Sequence, residues 1–241
     1  MSYKLVWQDL FDQDGHPNKI FWVHETGGHG FGNHEAQFYT DRLDNSYVKD
    51  GHLYIVAKKE DYQKNKYTSA KLTTYQKNHM SSGRIEVMAQ LPLGHGTWPA
   101  IWLLGENFKS NVDWPLCGEI DLLEHVGHHP NYVHFSLHSK NAYFHLNNQL
   151  NKIVFKEGLI KGFHEYSMDW TADSITFYLD KVEQVTFTKK PNATIEDWPF
   201  NQPFYLILNL ALGGSWGGPI DDAMLPSTFV FKYVKVYEKV V

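Results

Sequence analysis

Cysteine and arginine are scarce in this chain, which has one cysteine and two arginines among its 241 residues. The lone Cys117 excludes an intrachain disulfide, and its place beside an acidic segment predicts a small buried residue. The net charge is −5, and Arg42 and Arg84 stand far apart in the sequence. No basic stripe is therefore present to neutralise phosphates, which excludes nucleic acid as a partner.

Long apolar runs are also missing. No stretch approaches the length of a membrane span, so we expect no membrane partner. The first seven residues lack a long apolar core behind a basic segment, so the chain as given carries no signal for secretion. We therefore expect a cytoplasmic protein, or a secreted one if a signal peptide has been removed.

What the chain does contain is the pattern of a sheet protein. Its length suits one large all-β domain, and no linker is apparent, so we predict a single domain over residues 1–241. Helix signals are few and no internal repeat is present, which favours a two-sheet β-sandwich. Period-two or fully apolar runs, separated by turn residues, predict strands at 51–57, 83–91, 97–104, 133–138, 174–179, 203–212 and 229–237.

Three acids lie close together between aliphatic residues at 119–124. In a regular strand, Glu119 and Asp121 would share one face and Glu124 would lie on the other. One extra residue at Leu122 or Leu123 would form a β-bulge and bring Glu124 back to the first face. The segment then predicts a bulged strand with three carboxyl groups along one wall.

An amphipathic helix is the alternative for this segment, with its aliphatic residues as the buried stripe. The run is short and is bounded by Pro115 and Gly118 before it and by Gly127 and Pro130 after it, which favours a strand. Two carboxylates facing one bond are what glycoside hydrolysis requires, one as nucleophile and one as proton donor. Acid-rich strands also occur on solvated faces, so the residues alone leave a non-catalytic interpretation open.

The segment 119–124 resembles the E-x-D-x-x-E signature of glycoside hydrolase family 16, in the bulged form of laminarinases, agarases and carrageenases. The Trp-Pro pair before it and Trp-Pro-Ala-x-Trp upstream are similar to the laminarinase branch, the endo-1,3-β-glucanases. Other segments that fall in the family's order are 33–40, 67–70, 83–86, 97–102, 137–138, 163–166 and 209–214.

The resemblance implies a concanavalin-like β-sandwich jelly roll with a concave substrate cleft. It implies a retaining, endo-acting hydrolase of β-1,3-glucosidic bonds, with Glu119 as nucleophile, Glu124 as acid/base and Asp121 as the partner that tunes Glu119. The implied partner is a β-glucan polysaccharide or oligosaccharide. We expect a monomer without a cofactor.

The resemblance also implies substrate contacts. Three tryptophans would lie along glucosyl rings. Tryptophan in a β-sandwich more often packs in the core, and of the three we expect Trp102 above all to have that packing role. His138 would reach in from the neighbouring strand, whereas His134 is expected to be structural or exposed. The full set implied is Trp98, Trp102, Trp114, His138, Asn33, Lys71 and Asn209.

Two arginines of the family pattern are replaced here, by Lys71 and Met88. Neither side chain reproduces a planar guanidinium fork, so subsite contacts or supporting salt bridges are expected to differ. A related hydrolase or transglycosylase acting on mixed-linkage β-glucan or galactan is therefore the first alternative. A non-catalytic glycan-binding module is the second, and the three intact acids disfavour it.

No metal is expected. Many members of the family hold calcium with acids near both chain ends, where this chain has Leu10 and Lys232. Calcium requires oxygen ligands, so we predict that this site is lost. Three histidines after the acidic segment, His125, His128 and His129, match no ligand spacing and are interpreted as loop residues near the cleft.

Overall fold

The protein is described here by a computed structural model over residues 2–240, in which seventeen β-strands predominate. The helical segments are one α-helical turn, α1 (Gly214–Gly217), and three 3₁₀ helices at Glu106–Ser110, Phe144–Leu146 and Asp222–Met224. The strands are β1 (Ser2–Asp9), β2 (Val23–His24), β3 (Gln37–Tyr39), β4 (Ser46–Lys49), β5 (His52–Tyr62), β6 (Asn65–Ser69), β7 (Lys71–Thr73), β8 (Gly83–Gln90), β9 (Thr97–Gly105), β10 (Glu119–Glu124), β11 (Tyr132–His138), β12 (Leu150–Phe155), β13 (His164–Trp170), β14 (Ser174–Leu179), β15 (Val182–Thr188), β16 (Phe204–Leu212) and β17 (Ser227–Val240).

The strands form two sheets. The ten-stranded sheet runs β15-β14-β13-β8-β17-β5-β6-β3, with β1 also on β17 and β4 also on β5. The seven-stranded sheet runs β12-β11-β10-β9-β16-β7-β2 and is antiparallel at every pairing given for it. Apolar residues from both sheets meet in one core, so the predicted all-β sandwich is confirmed. Each of the seven predicted runs overlaps a strand.

Strand β8 shows why these segments fold as strands. Ile85, Val87 and Ala89 alternate with the less buried Arg84, Glu86, Met88 and Gln90, and all three are fully buried in the core. Burying each of the two larger side chains contributes about 1.5–3 kcal/mol. On the outer face, Arg84 bonds Glu86 at 2.7 Å and Asp169 of β13 at 2.8 Å. The alternation therefore divides a core face from a charged face within one strand.

The centre of the seven-stranded sheet is buried further. Strand β16 is buried along its whole length, and its neighbour β9 is buried at all but two positions, Trp98 and Trp102. Cys117 is fully buried beside Leu104, Tyr205 and other residues, as predicted, and burial raises its pKa to about 12. Among residues 2–240, no helix has the length and apolarity to cross a membrane.

Candidate active site

The three acids stand on strand β10 beside a β-bulge. Against β9 the register slips between Asp121 and Leu123, and against β11 it slips between Asp121 and Glu124. The extra residue lets Leu122 and Leu123 both lie in the core, while Glu119, Asp121 and Glu124 pair with residues on the opposite face. The bulged strand is confirmed, and the helix alternative is wrong. We call this opposite face of the seven-stranded sheet the site face.

Each glutamate accepts a hydrogen bond from an indole. Trp114 Nε1 donates to Glu119 Oε2 at 3.0 Å, and Trp98 Nε1 donates to Glu124 Oε1 at 3.1 Å. The two donors come from different places in the chain, the loop before β10 and strand β9. Each indole N–H binds one oxygen of its glutamate and does not bind the other. Both side chains are therefore oriented before any substrate arrives.

Asp121 lies between the glutamates and is almost fully buried. Its Oδ2 is 3.1 Å from His138 Nε2, and Glu119 Oε1 is 3.8 Å from the same nitrogen. Among the described residues, Nδ1 of His138 is buried without a hydrogen-bond partner. These three residues hold ligand atoms within 4.8 Å of one another, the geometry a cation could use. The expectation of no bound metal stays a prediction.

Burial raises the pKa of all three carboxyl groups. For Glu119, repulsion by Asp121 adds to burial, and for Asp121, repulsion by Glu124 does. The pKa of Glu124 is raised by burial and partly held down by His138 and by the bond from Trp98. Carboxyl groups this close cannot all ionise independently. The cluster therefore retains protons at a pH where isolated acids would have lost them.

Trp102 and Asn209 form a bonded pair in the middle of the site face. Trp102 Nε1 donates to Asn209 Oδ1 at 2.7 Å, and Asn209 Nδ2 donates to Tyr39 Oη at 3.0 Å. Trp102 also pairs in register with Asp121. It is half-buried and packs against the small cluster around Cys117, in agreement with the packing role expected for it. Asn209 thus holds the indole next to the acids.

Lys71 lies nearly buried at the β7 end of the site face. Its Nζ is 2.9 Å from Glu25 Oε2 and lies over the rings of Phe31 and Trp102, at 4.8 and 5.1 Å from their centroids. Lys109 binds the other oxygen of Glu25 at 2.9 Å. Although burial would raise the pKa of Glu25, the two lysines lower it to about 2. The ammonium is thus held in place by charge and by two aromatic faces.

The other departure from the family pattern lies elsewhere. Met88 is in β8 of the ten-stranded sheet, paired with Glu165 and Tyr233. It therefore cannot contact a ligand on the site face, whereas Lys71, paired with Asn209, can. Of the two replacements, only Lys71 is placed to alter substrate contacts.

Asn33 belongs to a loop held against the Trp98 side of the site. Its carbonyl oxygen accepts a 2.8 Å bond from the backbone N–H of Ser215. Gly214 makes this approach possible, since its φ is +71° and a Cβ there would lie 2.8 Å from that oxygen. The Asn33 side chain bonds Glu35.

Two residues at the Glu124 end were not predicted as site residues. Trp216 of α1 sets its ring edge-on to Trp98 and to His134, with centroid separations of 5.5 and 4.8 Å. His134 pairs in register with Glu124, and burial lowers its pKa to about 4, so it is uncharged at neutral pH. A tryptophan between two glycine pairs, Gly213-Gly214 and Gly217-Gly218, was the signal available for Trp216.

Of the three histidines expected in a loop near the cleft, His125 lies outside a strand, as expected, but is buried. His125 is fully buried, with Nδ1 2.8 Å from the carbonyl oxygen of Tyr132, and burial lowers its pKa to about 4. His128 and His129 do lie in the loop, with ring centroids 4.5 Å apart, and His128 Nδ1 is 3.2 Å from the Gly217 carbonyl oxygen.

Asp9, the acid next to Leu10, has both carboxyl oxygens engaged within the protein. Its Oδ1 accepts from the backbone N–H of Phe11 at 3.0 Å and its Oδ2 from Trp22 Nε1 at 2.8 Å. We expect the thermal unfolding midpoint to be the same in excess calcium chloride and in excess chelator. A rise with calcium that chelator reverses would contradict this.

The comparisons with known proteins agree with the motif. The model for glycosyl hydrolases family 16 matches residues 33–225. A beta-glucanase from Rhodothermus marinus is 42% identical over 98% of this chain and 85% of its own length. The laminarinase structure from the same organism superposes with a TM-score of 0.96 at 40% identity, over 100% of this chain and 99% of that one.

An endo-β-1,3-glucanase from Pyrococcus furiosus has a TM-score of 0.90 at 36% identity, over 99% of this chain and 95% of its own. These likenesses extend over both sheets, so the predicted concanavalin-like jelly roll is confirmed. The bulged acidic strand, its two indole donors and the match over most of the chain lead to one assignment. The chain belongs to glycoside hydrolase family 16.

Proposed function

We propose that this protein is a retaining, endo-acting hydrolase of β-1,3-glucosidic bonds in laminarin-type β-glucans. The observation that carries the proposal is the placement of Glu119 and Glu124 on one face of a bulged strand, each oriented by an indole N–H. Relatives described as a beta-glucanase, a laminarinase and an endo-β-1,3-glucanase support the substrate class.

In the first step, Glu119 attacks the anomeric carbon while Glu124 gives its proton to the glycosidic oxygen. The leaving part of the glucan departs with that proton, and the remaining part stays as an ester on Glu119. Glu124, now ionised, takes a proton from water, which attacks the same carbon and releases Glu119. Two displacements retain the β configuration, and this chemistry suits carboxyl groups about 5–5.5 Å apart.

The division of roles follows the family motif, and the surroundings of each glutamate act on its ionisation. Glu124 has to be protonated to act, and burial raises its pKa in that direction. Glu119 has to ionise for attack; burial and repulsion by Asp121 raise its pKa well above the usual range, and His138 and the bond from Trp114 offset only part of that rise. Asp121, with its Oδ2 3.1 Å from His138 Nε2, is placed to tune Glu119 as the charge of that residue changes through the cycle.

The substrate contacts expected from the sequence are retained as proposals. Trp98 and Trp114 flank the two glutamates, and their rings are only partly buried, so both can lie along glucosyl units. Lys71 presents a fixed ammonium to sugar hydroxyls at the β7 end. We propose further that residues 1–241 form one catalytic domain and that the protein works as a monomer, since both glutamates and both indole donors come from one chain.

The test is product analysis of the protein with laminarin, mixed-linkage β-glucan and agarose. We expect laminarin to give a ladder of oligosaccharides whose first products are β-anomers, read by proton NMR before mutarotation. Cleavage of mixed-linkage glucan with laminarin untouched would favour the first alternative and direct attention to Lys71. Binding of laminarin without any cleavage would favour the glycan-binding module.

A further inference from the structure

The site face continues past β11 to the edge of the sheet. Strand β12 pairs Ile153 with His134 and Phe155 with Tyr132. Side chains paired across antiparallel strands point to the same side, so all of these lie on the site face. We call Tyr132, Ile153 and Phe155 the edge strip.

The edge strip is apolar and exposed. Ile153 is 51% exposed, Phe155 58% and Tyr132 40%, and the two aromatic rings lie 5.3 Å apart between centroids. Edge strands are usually protected by charge or by short length, and contiguous exposed apolar patches mark binding surfaces. The opposite face of β12 is already used, since Leu150 and Val154 pack on the core. The edge strip therefore lies on the face of β12 that does not pack against the core.

This strip is continuous with the acids. Glu124, His134 and Ile153 follow one another in register across β10, β11 and β12. Two strand spacings of about 4.8 Å separate Ile153 from Glu124, roughly 10 Å in all. Trp216 packs against His134 and Trp98 at the same end of the site face.

We propose that the edge strip is a subsite for the glucosyl units of a β-glucan that extend from the acids past β11, at the end of the site face opposite Lys71. The inference rests on the proposed function. The strip has no charged side chain on this face, which suits a neutral glycan. Its two rings and one branched aliphatic side chain present apolar surface to the C–H faces of sugar rings, and the Tyr132 hydroxyl adds a polar edge. Only a chain long enough to cross β11 would gain from it.

The test is the double variant Ile153→Thr/Phe155→Thr, since threonine keeps the strand preference of β12 while removing the apolar surface. We expect kcat/KM for long laminarin chains to fall about tenfold, as one or two lost ring contacts would produce. The loss should shrink along a series of β-1,3-gluco-oligosaccharides as the substrate becomes too short to reach β12. The matched control is Val182→Thr/Ile195→Thr, which changes two exposed aliphatic residues in other segments and should match wild type at every length.

An equal loss at every length, or no loss at any length, would overturn the proposal while leaving the proposed function intact. Failure of the wild type to cleave any β-1,3-glucan would instead remove the proposed function, and the subsite with it. A second copy of the chain is the competing occupant, because β12 is an edge strand. A wild-type dimer that becomes monomeric in the double variant, with an unchanged length profile, would assign the strip to that interface.

Discussion

Glu119→Ala is expected to lower kcat on laminarin by about 10⁴-fold or more, the scale on which losing a nucleophile acts. The variant keeps Glu124 and its bond from Trp98, so proton donation remains possible. It lacks the carboxylate that would form the ester, and no side chain replaces it to orient a water molecule for attack. Reducing-sugar release measured over hours provides the sensitivity this range needs.

Azide tests the cause of that loss. The anion fits the space left by the carboxyl group and attacks the anomeric carbon from the side where Glu119 stood. A single displacement on a β-glucoside gives an α-glucosyl azide, which NMR distinguishes from the β product. The matched control is Glu165→Gln, a buried glutamate of the ten-stranded sheet bonded to Tyr233, which should keep wild-type turnover. Turnover of Glu119→Ala above a few per cent of wild type would remove Glu119 from the nucleophile's role.

Glu124→Ala is expected to lower kcat on laminarin by about 10²–10⁴-fold, the range of general acid–base catalysis. A dinitrophenyl β-glucoside needs no proton for its leaving group, so its first step should stay fast. The ester on Glu119 would then accumulate, because no base activates water, and a burst of dinitrophenolate should precede slow turnover. Added azide should release a β-glucosyl azide, since it attacks the ester from the face that Glu124 vacated.

The pH profile supplies a second reading of Glu124. Burial raises its pKa, so its protonated form persists to higher pH than in an ordinary glutamic acid. Activity of the wild type on laminarin should fall as pH rises through that pKa, because the proton donor is then lost. Glu124→Ala assayed on the dinitrophenyl glucoside should lack this descending limb. An α-azide from this variant would show that the two glutamates have exchanged roles, and an unchanged limb would assign the descending limb to another group.

Much of the fold was predictable because burial imposes a period of two on strands. The same period is present in β13, where Tyr166, Met168 and Trp170 are buried and alternate with polar residues. The strand was not predicted, because those polar residues hide the apolar pattern in the sequence. Strands β2, β3 and β7 hold only two or three residues, too few to show any period. Their positions in the sheets are determined by pairing with strands that are distant in the sequence.

The candidate site divides in the same way. The shared face of Glu119, Asp121 and Glu124 was predictable, because the outer two are only five positions apart and a single bulge brings all three to the same side of the strand. The contact of Trp216 with His134 joins residues about eighty positions apart, and it depends on where α1 meets β11. The edge strip was invisible for a related reason, because an isoleucine and a phenylalanine in a strand look like core residues until the register places them outside.

The bulge at Leu122 has a consequence for how chains of this family can change length. Deleting either leucine would leave E-x-D-x-E, in which regular alternation alone puts all three acids on one side. Inserting or deleting one residue at this point therefore keeps the three acids on the same face of the sheet. The same change elsewhere in the strand would point a glutamate side chain into the core. The cost falls on packing, since Leu122 and Leu123 are both fully buried and one would leave a cavity. Loss of one leucine would thus be felt in the packing of the core and not in the direction that the three acids face.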